Sequence, residues 1–139
     1  MPALSVESIR VRKDRMVCRV RLSEDCPHRS WPQLIETLCA ARPSLSSHAC
    51  VNSKGPGFAA VMNRTPLVHV LEHLIIDFQA QGNQQLFVGT SQWEDESAGV
   101  GTVELTFVDD MLALQAISAA TDLLNEALRE PSSKGVSDL

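Results

Sequence analysis

Segments with the periodicity of β-strands occur in two adjacent pairs along this chain, and segments with helical periodicity separate the pairs. Alternation of apolar and polar residues predicts strands over residues 8–12, 16–22 and 101–108, and a further strand is predicted over residues 85–89. Adjacent short strands predict hairpins, and hairpins that alternate with helices are typical of a sheet covered by helices. The sequence therefore predicts an α+β fold: an antiparallel four-stranded sheet with helices packed on one face, in the order ββααββα.

Three predicted helices are delimited by capping residues and by residues that stop a helix. The predicted N-caps are Ser30, Thr65 and Asp109 or Asp110, and the predicted stops are Pro43, Gly82 and Pro131. An irregular stretch over residues 44–64 joins the first two helices, and a connection of this length is often functional. We expect residues 1–131 to form a single domain and residues 132–139 to form a flexible C-terminal tail.

Composition excludes several classes of protein. The 139 residues carry a net charge of −5, and 44% of them are hydrophobic, which argues against a general nucleic-acid-binding protein. No apolar run approaches the ~20 residues that span a bilayer, and no signal peptide is apparent, so we expect a cytoplasmic protein that binds no membrane. The four cysteines show no C-x-x-C spacing, which argues against a zinc ribbon. The edge of the second hairpin could support a homodimer.

The second predicted helix contains His69-Val70-Leu71-Glu72-His73, the H-x-x-E-H order of inverted zinc metallopeptidases. Positions i, i+3 and i+4 share one helix face, so two imidazoles can bind one metal ion there. Glu72 can then act as general base toward water. A catalytic zinc needs a third protein ligand, for which the candidates are Glu94, Glu96, Glu104, His48 and Cys50. Asp77, one turn further along the helix, is a candidate for orienting a ligating histidine.

Other interpretations of these residues remain open at this point. The polar residues of the second helix could form a solvated surface with no metal. A Cys50 nucleophile with His48 as its base would require the loop to bring the two side chains together. Gly55 and Gly57 can bring the backbone of the same loop close to a ligand. The chain contains no G-x-S-x-G segment, Walker-type phosphate loop or dinucleotide fingerprint, which argues against the enzymes that use them.

Several short segments follow one another in the order of a known family. They are Ser47-His48-Ala49-Cys50, Gly55-Pro56-Gly57-Phe58, Arg64-Thr65, residues 69–79, Phe87-Val88-Gly89-Thr90 with Glu94, and residues 99–107. On these segments the chain resembles the N-terminal domain of cyanophycin synthetase over about residues 42–128. It departs from the family pattern at Gly101, where the family has tyrosine, and at Trp93, where the family has arginine.

The resemblance implies a domain that holds a polymer with an aspartate backbone and arginine side chains and, in some members, hydrolyses it. The ATP-dependent ligase domains of that family do not fit in 139 residues, so no ATP is expected. On the resemblance, zinc is bound by His69, His73 and Glu94, and Glu72 is the catalytic base. We expect His48, Gly55 and Gly57 to bind substrate. Two functions follow as expectations: a metal-dependent hydrolase of peptide or isopeptide bonds, or a non-catalytic scaffold that binds a peptide or an arginine-rich polymer.

Overall fold

The computed structural model describes residues 2–50, 54–55, 57–80 and 87–130, and within them four strands form one antiparallel sheet. The strands are β1 (Leu4–Val11), β2 (Arg15–Leu22), β3 (Gly89–Asp95) and β4 (Val100–Thr106), in the spatial order β1-β2-β4-β3. Each hairpin pairs its own two strands, and β2 joins β4 to make a single sheet. The predicted α+β architecture is confirmed, and β3 lies at an edge of the sheet.

One face of the sheet is apolar and the other is charged. Met16, Cys18 and Val20 of β2 are fully buried, whereas the arginines that alternate with them are exposed. Ion pairs cross the exposed face between Arg21 and Glu7, Arg19 and Glu94, and Arg15 and Glu104. Period-two alternation produces this division, because successive strand residues point to opposite faces.

Three helices supply the other layer: α1 (Pro32–Ala41), α2 (Leu67–Ala80) and α3 (Asp110–Arg129). Helix α2 packs against α3, β3 and β4, while α3 also contacts β1 and α1. Of the two predicted caps for α3, Asp109 is the N-cap, because its carboxylate accepts the N–H groups of Met111 and Leu112. At the other end, the Asn125 amide exchanges two hydrogen bonds with the backbone of Leu4, which fixes α3 to the β1 edge.

The third strand lies later in the chain than predicted. Residues 85–89 are the predicted strand, but β3 begins at Gly89 and continues to Asp95. Gly89, Ser91 and Trp93 alternate toward the helices, and because two of them are small or polar the alternation is hidden in the sequence. Residues 81–86 lie outside the described residues, as does the predicted tail over residues 132–139.

The Ser30 and Thr65 hydroxyls, both predicted to cap helices, have other partners, and Thr65 Oγ1 lies 2.8 Å from His69 Nδ1. The Ser30 hydroxyl donates to the backbone carbonyl of Met62 at 2.7 Å and accepts the backbone N–H of Thr65 at 2.9 Å. It thereby ties the start of α1 to the segment that leads into α2, and Trp31 takes the N-cap position of α1. None of the helices in the described ranges is long and apolar enough to cross a membrane.

Candidate metal centre

Helix α2 buries polar side chains on one of its faces. Glu72, His73 and Asp77 are at most 5% exposed, and His69 is half-buried. Burial of ionisable groups costs free energy unless hydrogen bonds or charges compensate for the lost water. The partners of these four residues therefore indicate what the helix is built to do.

Three side chains direct donor atoms at a common point. Cys50 Sγ lies 3.5 Å from His69 Nε2, and His69 Nε2 lies 3.1 Å from His73 Nε2. One donor atom from each residue lies within 4.8 Å of the other two. Around a tetrahedral zinc, ligand nitrogens are separated by about 3.3 Å, and a ligand sulfur and nitrogen by about 3.6 Å. The Cys50–His69 and His69–His73 separations are close to these values, and the donor types, one thiol and two imidazoles, suit a zinc ion with a fourth position left for water or substrate.

Both histidines are held through the ring nitrogen that faces away from this point. His69 Nδ1 lies 2.8 Å from Thr65 Oγ1, and His73 Nδ1 lies 3.0 Å from His48 Nδ1. A histidine that ligates through Nε2 carries its proton on Nδ1. His73 then donates to His48, which leaves the His48 proton on Nε2, 2.8 Å from the carboxylate of Asp77. The hydrogen bonds run in one direction, from the centre to Asp77.

Asp77 anchors this chain of hydrogen bonds. Its carboxylate accepts the Ser44 hydroxyl at 2.6 Å and the Arg42 guanidinium at 2.7 Å, in addition to His48. Burial opposes ionisation of Asp77, but these three hydrogen bonds and the charge of Arg42 lower its pKa below the ordinary value. The carboxylate therefore stays charged and can hold His48. Asp77 thus contacts His48 and not a histidine of the donor set, and it reaches His73 only through His48.

Phe58 forms one wall of the centre. It is fully buried, and its ring stacks on His73 with centroids 4.1 Å apart and meets His69 edge-on at 5.2 Å. Its backbone N–H donates to the carbonyl of His48 at 2.8 Å. One residue thus fixes the planes of both imidazoles and the backbone position of His48.

Burial favours the neutral forms of the His69 and His73 imidazoles. Burial lowers the pKa of His73 to about 3, and the neighbouring His69 and His48 act in the same direction. Burial also lowers the pKa of His69. Neutral imidazole is the form that binds a metal, so neither histidine has to lose a positive charge before binding.

Glu72 is positioned between the centre and strand β3. Its Oε2 atom lies 3.9 Å from His73 Nε2. Burial raises the pKa of Glu72 to about 7, and a hydrogen bond from Ser91 opposes the increase. Gly89 makes room for the carboxylate, because a Cβ atom at this position would lie 3.0 Å from Glu72 Cγ. A carboxyl group with a pKa near 7 can both accept and return a proton at neutral pH.

The centre opens into a cleft of about 670 Å³. Helix α2 contributes His69, Glu72 and His73 to its lining, and the edge strand β3 contributes its first residues. Its apolar lining residues are Ala49, Pro66, Ile76, Phe87 and Val88. A buried donor set and a raised-pKa carboxyl group in one cleft are the arrangement expected of an active site.

Comparison with protein families gives a match over most of the chain. Residues 15–129 match the model of the cyanophycin synthase-like N-terminal domain. The chain belongs to this family. No curated protein matches it significantly. The matched range runs from β2 to α3 and contains every residue of the centre described above, so the centre belongs to the family domain itself.

Within this cyanophycin synthase-like domain, the predicted third ligand is not near the histidines. Glu94 lies on the exposed face of the sheet, where it pairs with Arg19 at 3.0 Å and accepts the Thr102 hydroxyl at 3.3 Å. The helices cover the opposite face, toward which Ser91 and Trp93 point, and one step of strand alternation separates Trp93 from Glu94. Cys50, which the sequence leaves among the candidates, takes the third place instead.

The two glycines predicted to bind substrate lie in the loop that carries His48. Gly57 has a φ of +76°, and a Cβ atom there would lie 3.2 Å from the carbonyl of His48. Gly57 thus allows the close turn that places Phe58 beside His48. None of the three residues predicted to bind substrate, His48, Gly55 and Gly57, is among the described residues that line the cleft, so their contact with substrate stays a prediction. Residues 51–53 and 56 of this loop lie outside the described residues.

Proposed function

We propose that this protein is a zinc-dependent hydrolase of peptide or isopeptide bonds, with Cys50, His69 and His73 as ligands and Glu72 as general base. The observation that carries the proposal is the spacing of the three donor atoms, which suits tetrahedral zinc, beside a buried carboxyl group. A cysteine and two histidines leave one coordination position open, as catalytic zinc sites require.

Each residue has a defined task in the reaction. Zinc, when bound, supplies the Lewis acidity that makes attack by water on an amide feasible near neutral pH. Glu72 accepts the proton of the attacking water and returns it to the leaving amine, and its pKa of about 7 suits both steps. The Ser91 hydroxyl orients the Glu72 carboxylate, and Phe58 keeps both imidazole rings in place.

Zinc content tests the proposal directly. We expect the purified protein, reconstituted with zinc and freed of excess metal, to retain one equivalent by elemental analysis. Cys50→Ser and His69→Ala should each lose stoichiometric binding, because each removes one of three ligands. Two controls should retain it: Cys39→Ser, which removes a thiol on α1, and Glu94→Gln, which alters the predicted ligand on the exposed face. A protein that binds no zinc would exclude the hydrolase and favour a non-catalytic binding module.

His48 should control how tightly the metal is held. We expect His48→Ala to weaken zinc binding by about 10–100-fold, because His73 then loses the acceptor that fixes its tautomer and orientation. His48→Gln should be closer to the wild type, since a side-chain amide can accept from His73 and donate to Asp77 with its two ends. Competition with a chromophoric chelator measures both affinities. Equal zinc affinity in the alanine variant and the wild type would contradict this role.

A further inference from the structure

We propose that the substrate is an extended α-linked peptide that pairs with the open edge of β3 and places an apolar side chain in the cleft. The inference rests on the proposed function for the chemical step, and it adds the class of substrate and the way in which it is held. It begins from the position of β3, which is hydrogen-bonded to β4 on one side and has no neighbouring strand on the other within the described residues.

The register of the sheet determines which backbone groups of β3 face outward. The carbonyl of Val88 accepts the N–H of Thr106, and the pairs that follow are Gly89 with Leu105 and Thr90 with Glu104. In an antiparallel ladder, alternate residues direct their backbone groups toward the partner strand. Thr90 therefore faces β4, whereas Gly89 and Ser91 direct their N–H and C=O groups to the open edge. An edge of this kind can accept one further strand.

The open backbone groups lie beside the reactive residues. Gly89 and Ser91 both line the cleft beside Glu72. Gly89 leaves the space that the Glu72 side chain needs, and the Ser91 hydroxyl hydrogen-bonds to the Glu72 carboxylate. A peptide paired with these two residues runs along the edge of β3, over the face of α2 that carries His69 and Glu72. One of its amide bonds then lies next to the base and the donor set.

Side-chain selectivity follows from the walls of the cleft. Pro66, Ile76, Phe87 and Val88 offer apolar surface, and Glu72 is the one carboxylate among the described lining residues. Glu72 is needed as the base, and the described lining residues provide no other carboxylate that could pair with an arginine side chain of the substrate. Burial of an apolar side chain against these walls is favourable, whereas burial of an unpaired arginine head group is costly.

The test uses the Glu72→Gln variant reconstituted with zinc, so that a bound peptide is not cleaved. The probe is a blocked hexapeptide of alanines with one central leucine. We expect the peptide to slow hydrogen exchange at the amides of Gly89 and Ser91 and to leave Thr90, already bonded to β4, nearly unchanged. N-methylation of the peptide at successive positions should weaken binding about fivefold at every second residue, because edge pairing uses alternate peptide groups. An arginine in place of the leucine should weaken binding.

The outcomes separate this proposal from the proposed function. Protection of Gly89 and Ser91 by a peptide that the wild-type protein never cleaves would support edge pairing and overturn the hydrolase. Cleavage by the wild type without protection at these amides, or with N-methyl effects that do not alternate, would overturn edge pairing and leave the hydrolase intact. Tighter binding of the arginine peptide would overturn the apolar selectivity, and no detectable binding at millimolar peptide would overturn the whole inference.

Discussion

Glu72→Gln should retain stoichiometric zinc and reduce the rate of peptide hydrolysis by about 10²–10⁴-fold. Glutamine has nearly the same shape as glutamate and can still accept the Ser91 hydrogen bond, but it cannot take a proton from water. The proposed zinc ligands Cys50, His69 and His73 are unchanged, so the metal content should stay the same. A loss of rate with full metal content isolates proton transfer from metal binding.

The measurement is the release of new amino termini from the blocked hexapeptide, followed by mass spectrometry at saturating zinc. Glu94→Gln provides the matched control, because it makes the same chemical change on the exposed face of the sheet, beside Arg19. It should hydrolyse the peptide at the wild-type rate. Undiminished turnover in Glu72→Gln would exclude Glu72 as the base, and a loss of zinc in that variant would make its effect structural.

The architecture was predictable because it depends on periodicity. Alternating residues on β2 and β4 and the helical repeats of α2 and α3 are long enough to distinguish strand from helix. The limits of β3 were not predictable from the same rule. Gly89 and Ser91 occupy core-facing positions because Glu72 lies against them, so the usual apolar signal is absent where the site requires small residues. The apolar alternation of a strand is therefore lost at the candidate site, because the residues that pack against the Glu72 carboxylate have to be small or polar.

The residues of the centre that lie on α2 could be predicted from the sequence, whereas the residue that the loop contributes could not. His69, Glu72 and His73 are fixed relative to one another by helical geometry alone, which the spacing i, i+3, i+4 expresses. The third ligand depends on how a loop folds over α2, and no periodicity describes that. Glu94 is not near the histidines because it lies on the face of β3 that points away from the helices, whereas Cys50 lies in the loop over α2. One step of alternation is enough to move Glu94 to the far side of the sheet.

Phe58 is a residue whose role no sequence pattern indicated. It lies in a short 3-10 turn, Phe58–Ala60, where an isolated aromatic residue is ordinarily read as packing. Its ring contacts two imidazoles that are ten or more positions away in the chain. Gly55 and Gly57, which precede Phe58, indicated only that the backbone passes close to another group. In the structure, that group at Gly57 is the carbonyl of His48. Contacts of this kind depend on tertiary structure, so no local sequence pattern expresses them.

Ionisation of the buried Glu72 should destabilise the metal-free protein as the pH rises. The folded-state pKa of Glu72 is about 7, raised from the ordinary value of 4.5 by burial. An acid with a raised folded pKa binds more protons in the folded than in the unfolded state, so unfolding becomes easier as pH increases from about 4.5 to about 7. Between pH 5 and pH 8 we expect this group to cost about 2–3 kcal/mol of the free energy of unfolding.

Urea unfolding of the wild type and Glu72→Gln in the presence of a chelator measures this cost, since glutamine does not titrate. Over this pH range His73, with a pKa of about 3, stays neutral in both folded proteins, so its contribution cancels in the comparison. The free energy of unfolding of Glu72→Gln relative to the wild type should therefore increase between pH 5 and pH 8. Glu126→Gln, at an exposed position on α3, controls for the change from carboxyl to amide.

Parallel pH profiles for Glu72→Gln and the wild type would mean that Glu72 ionises in the folded protein as easily as in water. A carboxyl group of that kind would be too weak a base for the proposed reaction, because proton transfer from water at neutral pH is most effective when the pKa of the base lies near the working pH.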